Sequence, residues 1–376
     1  MMPVLSAAHE AFRARVRDIL GEIVTPNADI WEEQRRIPTT AWKALGDRGL
    51  LNLPHKGPEF LESAIFCEEV GRTGYSGIRS AICVPYMALW YLQQYGSPEQ
   101  RRDYLEPAQR GEKVAALAIS EPNAGSNLAR LATQALLDAD TQKYRLTGTK
   151  TTVTNGMVAD FAVAVVSTSP TVSGLAGASV MIADLDDDNA VRRTIEEPLG
   201  YRATGLATLH FDGLAVPAGN LLGPRGRALP QLMRGLDFER LIVGILALGS
   251  ATYTVDLLGA HIRTHMIGDT PLSGYQSVRH CFAELNGQLA LVRQYAYWAA
   301  RQHSLGCLDT FTAATLKIKA TELEFEAAVA CLHYYGARGY EQNSIPARLY
   351  RDAVSAPFTG GTNELLKDLA FEAGGA

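Results

Sequence analysis

The chain divides into three stretches by the period of its hydrophobic positions. From Pro3 to about Glu112, apolar residues recur at three- and four-residue intervals with charged residues between them, as in AHEAFRARVRDILGEIV. That is the pattern of helices with one buried side. FLESAIFCEEVGR (Phe60 to Arg72) and SPEQRRDYLEPAQRG (Ser97 to Gly111) read the same way. The second is opened by Ser97 as N-cap, with Pro98 at the first helical position, where a missing N–H costs nothing. From about Lys113 the period shortens to that of strands: YRLTGTKTTVTN, FAVAVVSTS, ASVMIADL and ATLHFDGLAVP alternate or run apolar between Gly, Pro, Asp and Asn. After PRGRA helices return, at Leu236 to Met266, Tyr275 to His303, Thr310 to Tyr335, Pro346 to Val354 and Glu364 to Ala373. Long amphipathic segments with short joins predict a bundle. The expectation is an α+β protein with an all-α domain over 1–112, a β domain over 113–224 and a helical bundle over 225–376.

Composition narrows the function classes. With 376 residues, 47% of them hydrophobic, the chain can bury a large core. A net charge of -5 with dispersed Lys and Arg excludes a nucleic-acid footprint. Cys67, Cys83, Cys281, Cys307 and Cys331 are far apart and odd in number, and they read as buried thiols without metal-ligand spacing. The first twenty residues carry charges at helical spacing, and the apolar run Leu241 to Gly249 is too short for a bilayer. These features predict a cytoplasmic protein without a membrane or metal partner. No GxGxxG, GxxxxGK[ST] or GxSxG motif is present.

Two turns concentrate the candidate chemistry. LAISEPNAGSN (Leu117 to Asn127) joins an apolar run to a turn with Gly125 and two small hydroxyl residues, Ser120 and Ser126. KTTVTNGMVAD (Lys150 to Asp160) repeats the device. Such turns offer backbone N–H groups and hydroxyls to a ligand on an apolar wall. SEPNAGSN followed by TNGxxAD closely resembles the flavin-contacting segments of the acyl-CoA dehydrogenase family, most strongly its isovaleryl-CoA branch. The order of helices, strands and bundle is the one that family's fold implies, and the resemblance covers essentially the whole chain.

The resemblance implies FAD as cofactor, with Leu117, Ile119, Ser120, Gly125 and Ser126 on the first turn and Thr152, Val153 and Thr154 on the second. Thr152 stands where the family usually has a tryptophan. HYYGARGY (His333 to Tyr340) resembles the QxxGGxGY segment that holds a neighbouring subunit's FAD, which implies His333, Gly336 and Ala337. Thr362, Asn363 and Glu364 match a TSE-like segment. In IRTHMIGDTPLSGYQ, Thr264 aligns with the arginine that contacts the FAD pyrophosphate, so the resemblance implies Arg263, one position away, and Gln276, after one extra residue, as the FAD contacts there.

Dehydrogenating an acyl thioester between Cα and Cβ needs a base, a hydride acceptor and donors that polarise the carbonyl. The commoner family site for the base is the glutamate of a YEGT loop, and FTGGTNE puts Gly360 there. The other site lies in an LDLERL-like helix start. LDFERL offers Glu239, as in the isovaleryl-CoA branch, and a first-turn position would also suit the helix dipole. The resemblance implies that Gly360, which keeps its N–H, donates it to the thioester carbonyl. The resemblance further implies Ser126, Asp237, Phe238, Arg240 and Gly361 as substrate contacts, with Arg240 reaching toward a pantetheine arm.

The leading expectation is therefore FAD-dependent α,β-dehydrogenation of a short or branched acyl-CoA. The alternative substrate is an acyl-carrier-protein thioester; a non-catalytic thioester-binding relative with a degraded FAD site is the third reading. Electron-transferring flavoprotein or oxygen is the implied electron acceptor, and a homodimer or homotetramer the implied assembly.

Overall fold

A computed structural model describes residues 5–169, 171–172, 174–195 and 197–374. Helices α1 (Ala7–Ile23), α2 (Ala28–Gln34), α3 (Thr39–Asp47), α4 (Phe60–Gly71) and α5 (Ser76–Tyr95) come first. A continuous helical stretch follows: α6 (Pro98–Gln100), a π turn (Arg101–Leu105) and α7 (Glu106–Gln109). Ser97 caps it as expected, and Gln100 completes a reciprocal capping box. Sixteen of the twenty residues of α5 are buried, so this helix has no polar face and no period to read.

The middle domain is a seven-stranded sheet of β1 (Ala115–Ala118), β2 (Gln134–Asp138), β3 (Lys143–Val153), β4 (Phe161–Ser167), β5 (Ala178–Asp184), β6 (Ala190–Thr194) and β7 (Ala207–Pro217). Its order is β1-β4-β2-β3-β7-β6, with β5 paired to β4. Strand β4 runs apolar because every one of its residues is buried. The long β3–β7 ladder shifts register between Lys150 and Val153, and this bulge carries Thr151 and Thr152.

The bundle consists of α8 (Ala228–Thr264), α9 (Gln276–Ser304), α10 (Thr310–Gly339), α11 (Ile345–Ala353) and α12 (Asn363–Ala373). A two-strand hairpin, β8 (Met266–Ile267) and β9 (Thr270–Pro271), joins α8 to α9. Helix α8 begins eight residues before the expected Leu236. By length and composition it could cross a membrane, but 78% of its most apolar window is buried inside the protein, as a core helix requires. Cys67, Cys83 and Cys331 are buried as expected, Cys281 is half-buried, and Cys307 is exposed on the loop before α10.

Buried charges join the three domains. Arg79 of α5 is 3% exposed, and its guanidinium donates to Glu324 of α10 (2.8 Å), to the Leu246 carbonyl of α8 and to the Tyr201 hydroxyl of the β domain. Arg13 of α1 donates to Glu68 and Glu69 of α4, at 2.7 and 2.6 Å. In the β domain, Lys150 is fully enclosed and donates to Glu121 at 2.8 Å and to the Ile119 carbonyl at 3.0 Å. Burial pulls its pKa down to about 8, against the pull of Glu121.

Removing one partner of a buried pair strands the other charge. Lys150→Met should therefore lower stability by about 3 kcal/mol, measured by urea denaturation. Arg102→Met, which breaks the exposed Arg102–Asp103 pair, should leave the midpoint in place.

Candidate active site

The Glu121–Lys150 pair binds the two sequence turns into one surface. Glu121 accepts from the backbone N–H groups of Ala132 and Thr133 and shares a two-way bridge with Ala124, while Thr151 N–H donates to the Ser120 carbonyl at 3.0 Å. Pinned from below, the turns present Gly125, Ser126 and Thr152 to solvent and leave Ser120 and Thr154 half-buried. Val153, also predicted as a contact, is 1% exposed and lies beneath this surface. Thr152 has φ 52°, the left-handed region that β-branched residues avoid. Strained backbone of this kind persists where the surrounding structure over-determines it, often at a site. A Cβ built on Gly125 meets nothing within 4 Å, so the turn is open backbone that a planar ligand can approach.

Glu239 is placed differently from its sequence expectation. It lies well inside α8, not in its first turn, so the helix dipole does not account for it. Its side chain is buried, and Tyr91 of α5 donates a hydrogen bond to Oε1 at 3.0 Å. Burial raises its pKa to about 7, opposed by the Tyr91 hydrogen bond and by Arg240. A carboxyl half-ionised near neutrality is suited to proton abstraction.

Its neighbours correct three expectations. Phe238, expected at the substrate, is 1% exposed and enclosed by Phe60, Tyr86, Trp90 and His303 at centroid distances of 5.2 to 6.1 Å, so its ring is packing behind Glu239. The Asp237 carboxylate is taken by Arg240 (2.7 Å) and the Thr310 hydroxyl (2.8 Å). Arg240, 4% exposed, is held by that pair inside the bundle, although its Nε has no partner among the described residues.

The loop with Gly360 reaches the same place. A Cβ on Gly360 would lie 3.3 Å from Val243, one helical turn beyond Glu239 on the same face of α8. Gly360 and Gly361 have φ of 70° and 96°. Both sides of this turn are held by Lys317 of α10, whose ammonium donates to Pro357 O (2.8 Å), Gly361 O (2.7 Å) and Asn363 Oδ1 (2.8 Å). Its three protons meet three acceptors. Asn363, expected at the cofactor, is 3% exposed and also bonded to Thr321, so its side chain belongs to this interior clasp. Thr362 caps α12 through the Leu365 N–H, while Glu364 is exposed.

A third cluster lies about the end of α10. Gly336 has φ 59° and ψ -141°, which breaks the helix directly after the expected end at Tyr335. There His333, Gly336 and Ala337 line a groove of about 370 Å³ with His265 and Ile267 of the α8–α9 connection. Arg263 does not line it; its guanidinium lies 5.7 Å from the Phe282 ring centre. Gln276 is exposed at the start of α9. Tyr91, Lys317, Glu121 and Lys150 carry no functional signal in the sequence, because each acts on a partner between 29 and 148 positions away.

The profiles described as the N-terminal, middle and C-terminal domains of acyl-CoA dehydrogenase match residues 6–112, 116–214 and 226–374. An acyl-CoA dehydrogenase structure from Geobacillus kaustophilus is similar at 30% identity, with 98% of each chain covered and a TM-score of 0.91. The chain belongs to the acyl-CoA dehydrogenase family. The long-chain specific acyl-CoA dehydrogenase of Rattus norvegicus is 28% identical over 97% of this chain and 86% of its own. Isovaleryl-CoA dehydrogenase of Solanum tuberosum is 28% identical over 94% and 87%.

The protein is thus a flavoprotein oxidoreductase acting on CH–CH bonds of acyl-CoA, with FAD as cofactor. The open backbone at Gly125, the exposed Ser126 and Thr152, and the uncrowded break at Gly336 fit such a group. Lys317→Met should speed hydrogen exchange at the amides of Gly360 and Gly361 by about tenfold, with the centre of α8 unchanged. Exchange mass spectrometry of the ligand-free protein checks this.

Proposed function

We propose that this acyl-CoA dehydrogenase acts on a short or branched acyl group, with Glu239 as the base that takes the α-proton. The observation that carries the reading is the meeting of a buried carboxylate and a donor loop on one face of α8, at Glu239 and Val243. Glu239 receives the proton at a carboxylate oxygen. The Gly360 N–H, steadied through Lys317, polarises the thioester carbonyl, a donor role typically worth roughly 3 kcal/mol. Bound FAD supplies the acceptor for the β-hydride. Trp90 and Tyr91 fill the space beside the base with aromatic rings, which favours a compact acyl group.

The turns around Ser126 and Thr152, together with Leu117, Ile119, Ser120, Val153 and Thr154, hold the flavin portion. The groove at His333, Gly336 and Ala337 receives the remainder of an FAD from a second copy. Leu291 and Trp298, 74% and 43% exposed and seven residues apart on α9, support a face for that copy, in a dimer or a pair of dimers. Electron-transferring flavoprotein reoxidises the enzyme. Five free thiols, one of them exposed, fit the reducing cytoplasm.

Under anaerobic conditions, isovaleryl-CoA should bleach the flavin absorbance of FAD-loaded protein, and Glu239→Gln should slow this about a thousandfold. Bleaching by a carrier-protein thioester alone would overturn the acyl-CoA assignment. The rate should rise with pH about a midpoint near 7, because only the ionised carboxylate accepts a proton. A second consequence is thermodynamic. The folded-state pKa lies above that of an ordinary carboxylate, so the unfolded chain ionises first and stability falls as pH rises from about 4.5 through 7. Glu239→Gln should therefore gain about 3 kcal/mol at pH 8 relative to its effect at pH 4, read from denaturation midpoints.

A further inference from the structure

Tyr91 is 1% exposed, in the last third of α5, and its hydroxyl is aimed across the interface into α8. The space it occupies there depends on Gly235. A Cβ built on Gly235 would lie 2.0 Å from the Tyr91 hydroxyl oxygen and 2.3 Å from the carbon bearing it, closer than any side chain tolerates. Gly235 stands one helical turn before Glu239 and therefore on the same face of α8. A glycine inside a helix costs about 1 kcal/mol relative to alanine, so this notch is bought with helix stability. Trp90, stacked on Phe238 at 5.7 Å, locks the two helices in this register from the neighbouring position.

We propose that Tyr91 is a positioning residue for the base, and that Gly235 is the notch that lets its hydroxyl reach the Glu239 carboxylate. The inference rests on the reading of Glu239 as the base. A hydroxyl that donates to a carboxylate favours the ionised form and fixes one oxygen, leaving the other free to accept the α-proton. Around Glu239 the titratable and charged groups are Tyr91 from α5, with Tyr95 beside it, and Arg240 from α8, already bound to Asp237. From α10, Lys317 lies beyond Arg240 and is engaged with the Gly360 loop. Tyr91 is thus the neutral donor that holds the carboxylate without neutralising it.

Two readouts test this on the FAD-loaded protein: the pH profile of flavin reduction, and substrate-free infrared titration of the Glu239 carboxyl, assigned by difference against Glu239→Gln. In Tyr91→Phe, which removes one oxygen atom, both midpoints should move up by about one pH unit, and the rate above both midpoints should fall several-fold. Gly235→Ala, which displaces the hydroxyl, should reproduce the shift. Unchanged midpoints in Tyr91→Phe protein that takes up FAD normally would overturn the proposal, whatever Gly235→Ala does. If Glu239→Gln instead bleaches the flavin at the wild-type rate, the base assignment fails, and the infrared midpoint still reports whether Tyr91 holds that carboxylate.

Discussion

The close crossing of α4 and α8 is the constraint on which the rest of the arrangement depends. A Cβ on Gly71 would lie 2.3 Å from the Leu246 carbonyl, and one on Gly249 would lie 2.2 Å from the Glu68 carbonyl, so the two backbones touch with no side chain between them. This contact makes α8 the central wall of the molecule, with α5 and α10 packed along it as well. Arg79 can then reach α8, α10 and the β domain from a single position, and Tyr91 of α5 can reach a carboxylate on α8. Were the helices a side chain further apart, neither reach would close.

Buried charge is used in two distinct ways. Arg79, Arg13 and Lys150 are paired with carboxylates at 2.6 to 2.8 Å, and their role is to fix domains and turns, since stranding either partner is costly. Glu239 has a neutral partner and a cation already committed to Asp237, so burial wins and its proton affinity rises to about 7. Lys317 is intermediate. Burial draws its pKa down to about 7, and its acceptors are chiefly carbonyls on a turn. The same desolvation therefore raises the proton affinity of a carboxylate in one place and lowers that of a loop-holding amine in another.

The fold was legible in the sequence wherever an element has two unlike faces. The Ser97 cap, the bundle helices and the alternation in β7 all show it. It was not legible in α5, which is buried all round, nor at the start of α8, where ALPQLMRG carries no cap. Of the candidate site, Glu239, Gly360 and the two polar turns could be singled out by motif. Phe238, Asp237 and Asn363 belonged to the same motifs, yet their side chains turn inward to an aromatic cluster, an ion pair and an ammonium clasp. A motif records which residues accompany a site, and side-chain direction depends on what packs behind it.

By itself, then, the sequence determined the succession of helices, strands and bundle, and the family chemistry carried by short local motifs, because hydrophobic period and turn composition are properties of neighbouring residues. The tertiary structure decided which groups share a face and how each one titrates. Desolvation of Glu239, the reach of Tyr91 into the Gly235 notch and the three-way grip of Lys317 on the Gly360 loop arise between segments far apart in the chain. Those quantities depend on distance and burial, which no local pattern encodes.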